Sequence, residues 1–340
     1  IWYEMRGGDT GLVERCEYMV HRPGETYITR PRKDPRDVHV LDPACGSGHF
    51  LLYAFDLLLV MYEEGWQDSR TKSQTTARSL RDEYPSLDEL RKVLPALILQ
   101  HNLYGVDIDP RCAQIAQLAL WMRAQRAFKD FGIDRAERPA IRRSNIVVAE
   151  PMPGDRALIK QFGARIDDSV LRELFNKMVE TFKHAGDLGL LLRVEQVLRS
   201  SSQAQIGLFR SAEERLHETL ERFASEASAA QLTSRRLFAD DAEQGLGLIE
   251  IANKKFDVLL MNPPFGAGSM SAKKDFEKAY PRTKNDVYAA FVERGIELLQ
   301  SRGRLGAITS RTGFFLSSFQ RWREEILLKE ASVIPIYTYT

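Results

Sequence analysis

The stretch VHVLDPACGSGHF, residues 38–50, decides the fold class. A short β-branched run leads into an acid and a turn with two glycines, and an apolar segment then continues to about residue 64. Strand, glycine turn and helix in this order are typical of doubly wound α/β sheets, whose ligands bind outside the carboxyl ends of the strands. We expect a strand over residues 38–41 and a helix that begins at His49.

Apolar strands and amphipathic helices alternate over most of the chain, except in one long helical stretch. This alternation predicts an α/β protein with a doubly wound, mostly parallel sheet and a long helical insertion. Further strands are expected within 102–110, 146–149, 255–261 and 303–310 and near 333–337. The expected divisions are an N-terminal segment (1–37), a cofactor-binding half (38–150), the helical insertion (151–255) and a catalytic half (256–340).

Two helices are predicted with particular boundaries or faces. The segment PRCAQIAQLALWMRAQRAF, residues 110–128, follows the second strand, and its apolar spacing predicts that one face packs against the sheet. A later helix is expected near residues 314–328. The packing face of the first helix is predicted to consist of Ile115, Leu118, Trp121 and Met122.

Composition excludes several classes of protein. Lys and Arg number 48 against 47 Asp and Glu, so the net charge of +1 gives no global attraction to nucleic acid. The three cysteines are widely separated, which predicts a reducing, cytoplasmic location rather than a disulfide framework, and the six histidines lack metal-ligand spacing. The most apolar run, residues 50–62, is interrupted by Asp56 and is too short to span a membrane.

The glycine turn predicts a site for a positively charged ligand. Asp42 ends the first strand, and Gly46 and Gly48 follow. The third glycine of a dinucleotide fingerprint is absent, because Leu51 stands there, and the lysine of a phosphate loop is also missing. A carboxylate suits an amine or a sulfonium better than a pyrophosphate. The alternative is a tight turn with a capping acid.

Acids also follow the second and third strands. Asp107 stands where doubly wound nucleotide sites place an acid on ribose hydroxyls, and Ile108 could cover one face of an adenine. Asp109 is predicted to cap the helix that begins at Pro110. Glu150 could accept a hydrogen bond from the ligand's amino group, although Asn145 competes for this role and a solvated surface acid is the alternative.

The second candidate site is Asn262-Pro263-Pro264-Phe265, directly after an apolar strand. The two prolines stiffen the backbone, so the Asn262 side-chain oxygen and the Pro263 carbonyl form a pair of acceptors for one amino group. Phe265 offers a flat face for a base, and acceptors on both amino hydrogens would free the nitrogen lone pair to attack a methyl group. The alternative is a structural turn.

Together, DPACGSG and NPPF in this order resemble the N6-adenine DNA methyltransferases that use S-adenosyl-L-methionine. Residues 40–58 and 105–123 look like the large type IIG restriction–modification methylases, and even more like the adenine methylases of the BREX and DISARM phage-defence systems. The resemblance implies a Rossmann-like methyltransferase sheet, a double-stranded DNA substrate and a specificity domain or defence-system subunits as partners. In this family's motif order the specificity domain follows the Asn-Pro-Pro-Phe motif, and we expect it to lie outside this sequence.

The resemblance also implies roles for residues of both loops. Asp107 and Ile108 would hold the ribose and adenine of the cofactor, and TYITRPR near Tyr27 is the candidate for the amino-terminal cofactor motif. The flipped target adenine would contact Asn262, Pro263, Pro264 and Phe265, with Asn262 also close to the cofactor. The methionine end of the cofactor would contact Asp42, Pro43, Ala44, Gly46 and Gly48.

A basic loop follows the second motif. Its cations could grip DNA phosphates around an extruded base, although ordinary solvated side chains are the alternative. Asp286, at the start of the next helix, is either a helix-terminal acid or a support for the pocket. The helical insertion has nearly balanced charges and is expected to serve as a scaffold or docking element. The candidate DNA contacts are Lys273, Lys274, Lys278, Arg282 and Lys284.

Two other functions remain open from the sequence. Methylases of protein glutamine or of RNA also carry Asn-Pro-Pro-aromatic motifs, although they are usually compact. The chain could instead bind S-adenosyl-L-methionine without catalysis, as a subunit of a defence complex.

Overall fold

The computed structural model describes residues 1–16, 30–68, 70–141, 144–151, 156–199, 206–226, 232–266 and 271–333. Within these residues the chain forms a five-stranded sheet of order β3-β2-β1-β4-β5, and each neighbouring pair is parallel. The strands are β1 (Val40–Asp42), β2 (Leu103–Asp107), β3 (Asn145–Val148), β4 (Phe256–Met261) and β5 (Leu299–Ala307).

Helices lie between consecutive strands, and the longest run of them lies between β3 and β4. In chain order they are α1 (Trp2–Arg6), α2 (Leu12–Arg15), α3 (His49–Gln67), α4 (Leu80–Glu83), α5 (Leu87–His101), α6 (Pro110–Asp130), α7 (Arg156–Gly163), α8 (Ser169–Thr181), α9 (Ala185–Leu188), α10 (Val194–Arg199), α11 (Ile206–Ser225), α12 (Leu232–Asn253), α13 (Lys273–Ala279) and α14 (Val287–Leu298). Short 3₁₀ turns occupy Pro35–Asp37, Arg135–Glu137, Phe182–His184, Gly189–Leu192, Arg311–Phe314 and Ser317–Phe319, and a π-helix spans Trp322–Leu327.

The sheet carries one hydrophobic layer on each face. Helices α3, α5 and α6 pack on one face around Leu51, Phe55 and Leu90. The other face is covered by α14 and by helices α7 to α12, which we call the helical segment. Burial on both faces explains why β1 is apolar at Val40 and Leu41 and buried throughout.

The helical segment is an integral layer of the fold. Helix α12 packs so closely on β3 that a Cβ atom added to Gly247 would lie 3.0 Å from a methyl group of Val147. Rings from four helices pack edge to face in the core of the segment, with Phe162 4.8 Å from Phe175 and 5.5 Å from Phe223 between centroids. The domain boundaries predicted from the sequence stay a prediction.

A buried ion-pair network joins the helical segment to α14. Arg294 of α14 contacts Glu195 of α10 through both carboxylate oxygens, at 2.8 and 2.9 Å. The guanidinium of Arg193 lies 4.3 Å from the ring centroid of Tyr280 and 3.7 Å from Glu293. Removing one partner of a buried ion pair lowers the free energy of unfolding by roughly 3–5 kcal/mol, because the other charge stays buried without a partner. We therefore expect this network to hold α10 against α14.

The predicted packing face of α6 is wrong. Ile115, Leu118, Trp121 and Met122 are 54, 57, 47 and 58% exposed. The core face consists mainly of alanines, with Leu120 and Phe128, because small side chains let helices approach closely. A Cβ atom on Gly48, for example, would lie only 3.1 Å from the Cβ atom of Ala116.

Other differences concern the ends of elements. Strand β1 begins at Val40 and includes Asp42, so it lies slightly later in the chain than predicted. The helix predicted near residues 314–328 is divided into two 3₁₀ turns and the π-helix. The predicted motif near Tyr27 and the strand beyond Val333 lie outside the described residues. None of the described helices has the length and apolar character needed to cross a bilayer.

The two faces of α6 can be compared with one substitution. We expect Leu120→Ala to lower the free energy of unfolding by about 2–5 kcal/mol, because Leu120 is buried in the core. Leu118→Ala is the matched control and should change it by less than about 0.5 kcal/mol, because Leu118 is largely exposed. Urea denaturation followed by circular dichroism measures both. Equal losses would contradict the observed orientation of α6.

Candidate active site

The two sequence motifs open at the same edge of the sheet. Strand β1 pairs with β4 in parallel, with Leu41 opposite Leu259, so Asp42 and Asn262 both leave the carboxyl edge. The strand order also reverses here, because β2 lies on one side of β1 and β4 on the other. Such a switch point leaves a crevice between the loops, where ligands of α/β proteins bind. The two loops therefore leave the same edge of the sheet from adjacent strands.

The glycine turn leaves space for a ligand. Gly46 and Gly48 have φ angles of +52° and +83°, a region that side chains with a Cβ atom rarely adopt. Apart from the chain neighbours of Gly46, no described residue has an atom within 4 Å of a Cβ atom placed on it, so that side of the turn is open. Gly48 precedes α3 and packs against α6. One glycine therefore faces free volume, and the other permits close helix packing.

Asp42, which precedes the glycine turn, is a buried acid. The residue is only 2% exposed, and its Oδ1 accepts a hydrogen bond from the backbone N–H of Ala44 at 3.2 Å. Burial, and secondarily the negative charge of Asp107, raise the pKa of Asp42 to about 7. A neighbouring cation would favour the ionised form. The site therefore holds an acid that lacks a cationic partner among the described residues.

Asp107 joins the first two loops. Its Oδ2 accepts a hydrogen bond from the N–H of Gly46 at 2.7 Å, and its Oδ1 accepts one from the N–H of Asp109 at 2.9 Å. Asp109 caps α6 by accepting from the N–H of Arg111 at 2.9 Å, which confirms the predicted cap. The carboxylate of Asp107 thus fixes the spacing of the glycine turn and of the loop that carries Ile108.

The structure separates the two candidates for the amino-group contact. Asn145 begins β3 at the amino edge of the sheet, and its amide donates to the carbonyls of Leu99 and Gln100 at 3.2 and 3.0 Å. Glu150 follows β3 at the carboxyl edge and is partly exposed. Asn145 is therefore a structural residue, and Glu150 remains the candidate for the amino-group contact.

One contact of the loop that follows β2 was not predicted from the sequence. Ile108 is 48% exposed, and one of its methyl groups would lie 3.2 Å from a Cβ atom on Gly189. Gly189 belongs to the helical segment and has a φ of +54°. The sequence GLLL, in which Gly189 precedes three leucines, indicates a turn before a buried segment. Nothing in the local sequence predicts that this turn contacts residue 108.

The Asn262 to Phe265 turn is rigid and partly open. Pro263 is buried, whereas Asn262, Pro264 and Phe265 are exposed, with Phe265 at 54%. The ring centroid of Phe265 lies 5.7 Å from that of Tyr288, at an interplanar angle of 54°. A polar side chain and an aromatic face are thus both available at the end of β4.

Asp286 holds this turn against α14. Its Oδ1 accepts hydrogen bonds from the N–H groups of Gly266 at 2.9 Å and of Tyr288 at 3.3 Å. The N–H of Val287 in turn donates to the carbonyl of Gly266 at 2.9 Å. Asp286 is therefore a helix-terminal acid and a support for the turn at once.

An aromatic cluster lies under the same turn. Tyr288 stacks on Phe319 at 5.7 Å between centroids and meets Trp322 edge to face at 5.8 Å. Burial, followed by the charge of Asp286, raises the pKa of Tyr288 to about 12, so its hydroxyl stays protonated. Phe319 and Trp322 were not identified from sequence, because they come from turns far along the chain.

The basic loop requires one correction. Arg282 was a candidate DNA contact, but its Nε and Nη2 donate to Glu293 at 3.1 and 2.8 Å, and Nη1 pairs with Glu330. Because Glu293 is buried, the Arg282 guanidinium neutralises an acid of the core. Arg282 is therefore no longer a candidate for a phosphate contact. The remaining candidates, all exposed, are Lys273, Lys274, Lys278 and Lys284.

Comparisons with protein families agree with this geometry. The model of the Eco57I restriction–modification methylase matches residues 101–339, and the model of the MmeI DNA-methyltransferase domain matches residues 25–148. The first match covers well over half of the chain and includes both the end of β2 and the Asn262 turn.

Similar proteins are found among curated sequences. The adenine-specific methyltransferase BrxX of Escherichia coli O9:H4 (strain HS) is 26% identical over 345 residues, which cover 94% of this chain and 26% of that protein. The adenine-specific methyltransferase PglX of Lacticaseibacillus casei (strain Zhang) is 27% identical over 311 residues, covering 87% of this chain and 21% of PglX.

A third relative comes from Methanocaldococcus jannaschii. The putative type II restriction enzyme and methyltransferase RM.MjaORFECS2P is 23% identical over 352 residues, covering 89% of this chain and 28% of that protein. The chain thus spans about a quarter of the length of these curated relatives.

The titration of Asp42 tests the electrostatics of the crevice. We expect Asp107→Asn to lower the pKa of Asp42 below about 7, because it removes the nearby negative charge, but to leave it above 3.8, because burial is the larger cause. NMR titration of the side-chain carboxyl carbon would measure the pKa of Asp42 in the unmodified chain and in Asp107→Asn. Asp109→Asn is the control and should shift the pKa of Asp42 less, since Asp109 pairs with Arg111. An Asp42 carboxyl that titrates near 3.8 in the unmodified chain would contradict the site.

Proposed function

Because the chain belongs to the Eco57I restriction–modification methylase family, we propose that it is the catalytic portion of a DNA (adenine-N6) methyltransferase. The observation that carries the proposal is the meeting of two loops at one switch point: a buried acid beside open glycine, and a stiff turn with an amide and an aromatic ring. The first loop fits a cation, and the second fits a base with an amino group.

Adenine methyltransferases in general take their methyl group from S-adenosyl-L-methionine, which supplies an electrophilic methyl on a sulfonium. In the proposed site, Asp42 faces the positive methionine end, and Asp107 and Ile108 face the ribose and adenine. Glu150 accepts from the amino group of that adenine. The open side of Gly46 lets the backbone approach the ligand without a side chain between them. Pro43, Ala44 and Gly48 complete the wall.

The target adenine is proposed to lie between this wall and Phe265. The Asn262 side-chain oxygen and the Pro263 carbonyl would accept hydrogen bonds from the two amino hydrogens, which would free the nitrogen lone pair. The new N–C bond would form as the bond between the methyl group and sulfur breaks, and the methylated nitrogen would then lose one proton to water. Positioning and oriented dipoles provide the catalysis, without a covalent intermediate on the protein. Pro264 limits the freedom of the turn, and the exposed face of Phe265 stacks on the base.

The proposed substrate is double-stranded DNA. The amino group of a paired adenine is not accessible to a buried site, so the base must leave the duplex. Lys273, Lys274, Lys278 and Lys284 follow the Asn262 turn and would contact phosphates around the extruded base. The similarity to BrxX, PglX and a putative restriction enzyme favours a role in phage defence or restriction–modification, with a specificity domain or defence subunits as partners.

Transfer of a tritiated methyl group from S-adenosyl-L-methionine tests the function. We expect incorporation into duplex DNA and a loss of at least about a hundred-fold for Asn262→Ala, because one acceptor of the amino group is removed. The control Asn176→Ala changes an exposed asparagine of α8 and should retain the activity. Incorporation only into protein or RNA would assign another methylase activity. Cofactor binding without transfer to any of the three would make the chain a non-catalytic binding subunit.

The affinity for S-adenosyl-L-methionine should depend on pH. The pKa of Asp42 in the free protein is raised to about 7, and a cationic ligand favours its ionised form. Affinity should therefore rise about ten-fold per pH unit below that pKa and become constant above it. Calorimetric titration between about pH 5.5 and about pH 8.5 measures this slope. Asp42→Asn should remove it and Asp109→Asn should retain it, whereas a slope that persists in Asp42→Asn would reject the role.

A further inference from the structure

The loop after β5 exposes an unusual run of large apolar side chains. Phe315 is 77% exposed, and Ile308, Leu316 and Phe314 are 52, 50 and 38% exposed. None of these residues belongs to the motifs discussed above. Large apolar groups held in water at one place are typical of a binding surface.

This loop lies next to the Asn262 turn. The N–H of Ile308 donates to the carbonyl of Met261 at 2.9 Å, directly before Asn262. Farther along, a Cβ atom on Gly313 would lie only 2.1 Å from the hydroxyl of Tyr288, whose ring contacts Phe265. The loop therefore shares its base with the proposed pocket for the target adenine.

The loop is held rigidly, so the exposure of Phe315 does not result from a loose chain. Arg323 Nη1 donates to the carbonyls of Gly313 and Leu316, at 2.7 and 2.8 Å, and so connects the residues on either side of Phe314 and Phe315. Phe314 packs edge to face on Trp322, with 5.6 Å between centroids. A rigid support lets an aromatic group enter a partner with little loss of conformational entropy.

The surroundings of Phe315 favour a nucleic acid as the partner. Arg311 lies in the same loop. The side-chain amide of Asn285 donates to the carbonyl of Ser318 at 2.5 Å, so the segment that also carries Lys284 is joined to this loop. Both cations are exposed, and neither forms an ion pair within the described part of the chain. An exposed aromatic ring can stack on bases, and exposed cations on the same loop and the adjoining segment can contact phosphates.

We propose that Phe315, supported by Leu316, is a wedge that enters the base stack of DNA next to the target adenine. This inference rests on the proposed function, and it assigns contact with the DNA base stack to a loop outside the two motifs. Apolar side chains inserted at a base step offset the cost of unstacking, which is a few kcal/mol per step. The adenine that leaves the stack enters the Asn262 pocket, and the ring of Phe315 occupies the weakened step.

Two DNA pools distinguish a wedge from a general support. One is a random-sequence duplex, and the other is the same duplex with its central adenines opposite abasic sites, so that these bases are already unpaired. We expect Phe315→Ala to lower methyl transfer to the intact duplex about ten-fold and transfer to the abasic pool by less than about two-fold. Phe315→Trp should restore transfer, because the indole also stacks. Leu328→Ala, which removes another exposed apolar side chain, should change neither.

Each other outcome has a defined meaning. Equal losses on both pools, or no loss on the intact duplex, would reject the wedge even though the proposed function holds. If the unmodified chain transfers methyl groups to neither pool, the proposed function fails, and fluorescence anisotropy with the labelled duplex decides the wedge alone. Weaker binding by Phe315→Ala with recovery by Phe315→Trp would support it, and unchanged binding would exclude it in favour of a protein partner.

Discussion

The pairing of β1 with β2 on one side and with β4 on the other is the constraint on which the site depends. It places two loops, distant in sequence, at a single edge. The carboxylate of Asp107 then fixes the glycine turn by accepting from Gly46, while Asp286 fixes the Asn262 turn by accepting from Gly266. Each loop is thus held by an acid that lies later in the chain, at the end of β2 in the first case and at the start of α14 in the second.

Local sequence was sufficient for elements whose signals do not depend on distant packing. Helix α3 begins at His49 as predicted, and α6 begins at Pro110 after its capping acid, because helix-terminal residues and the following periodicity act within a few residues. The parallel sheet was predictable because buried strands on both faces must be apolar throughout. The joint position of both motifs followed from the rule that α/β ligands bind at the carboxyl edge.

Features decided by tertiary contacts could not be predicted in this way. Helix α6 has two apolar faces, and the one rich in alanine is buried because α3 approaches it closely at Gly48. Arg282 had the charge of a phosphate contact, but the buried Glu293 binds it. The contact between Ile108 and Gly189 joins residues separated by a long stretch of chain. Such contacts depend on the assembled fold rather than on local pattern.

The ion pair between Arg294 and Glu195 has a consequence for how this architecture can vary. A segment inserted between two strands usually evolves as an independent module that can be lost or exchanged. Here the segment supplies the counter-charge of a buried arginine and shields one side of the sheet. Relatives with a shorter connection would therefore need a compensating apolar residue at the position of Arg294, so covariation should link these two regions of the gene.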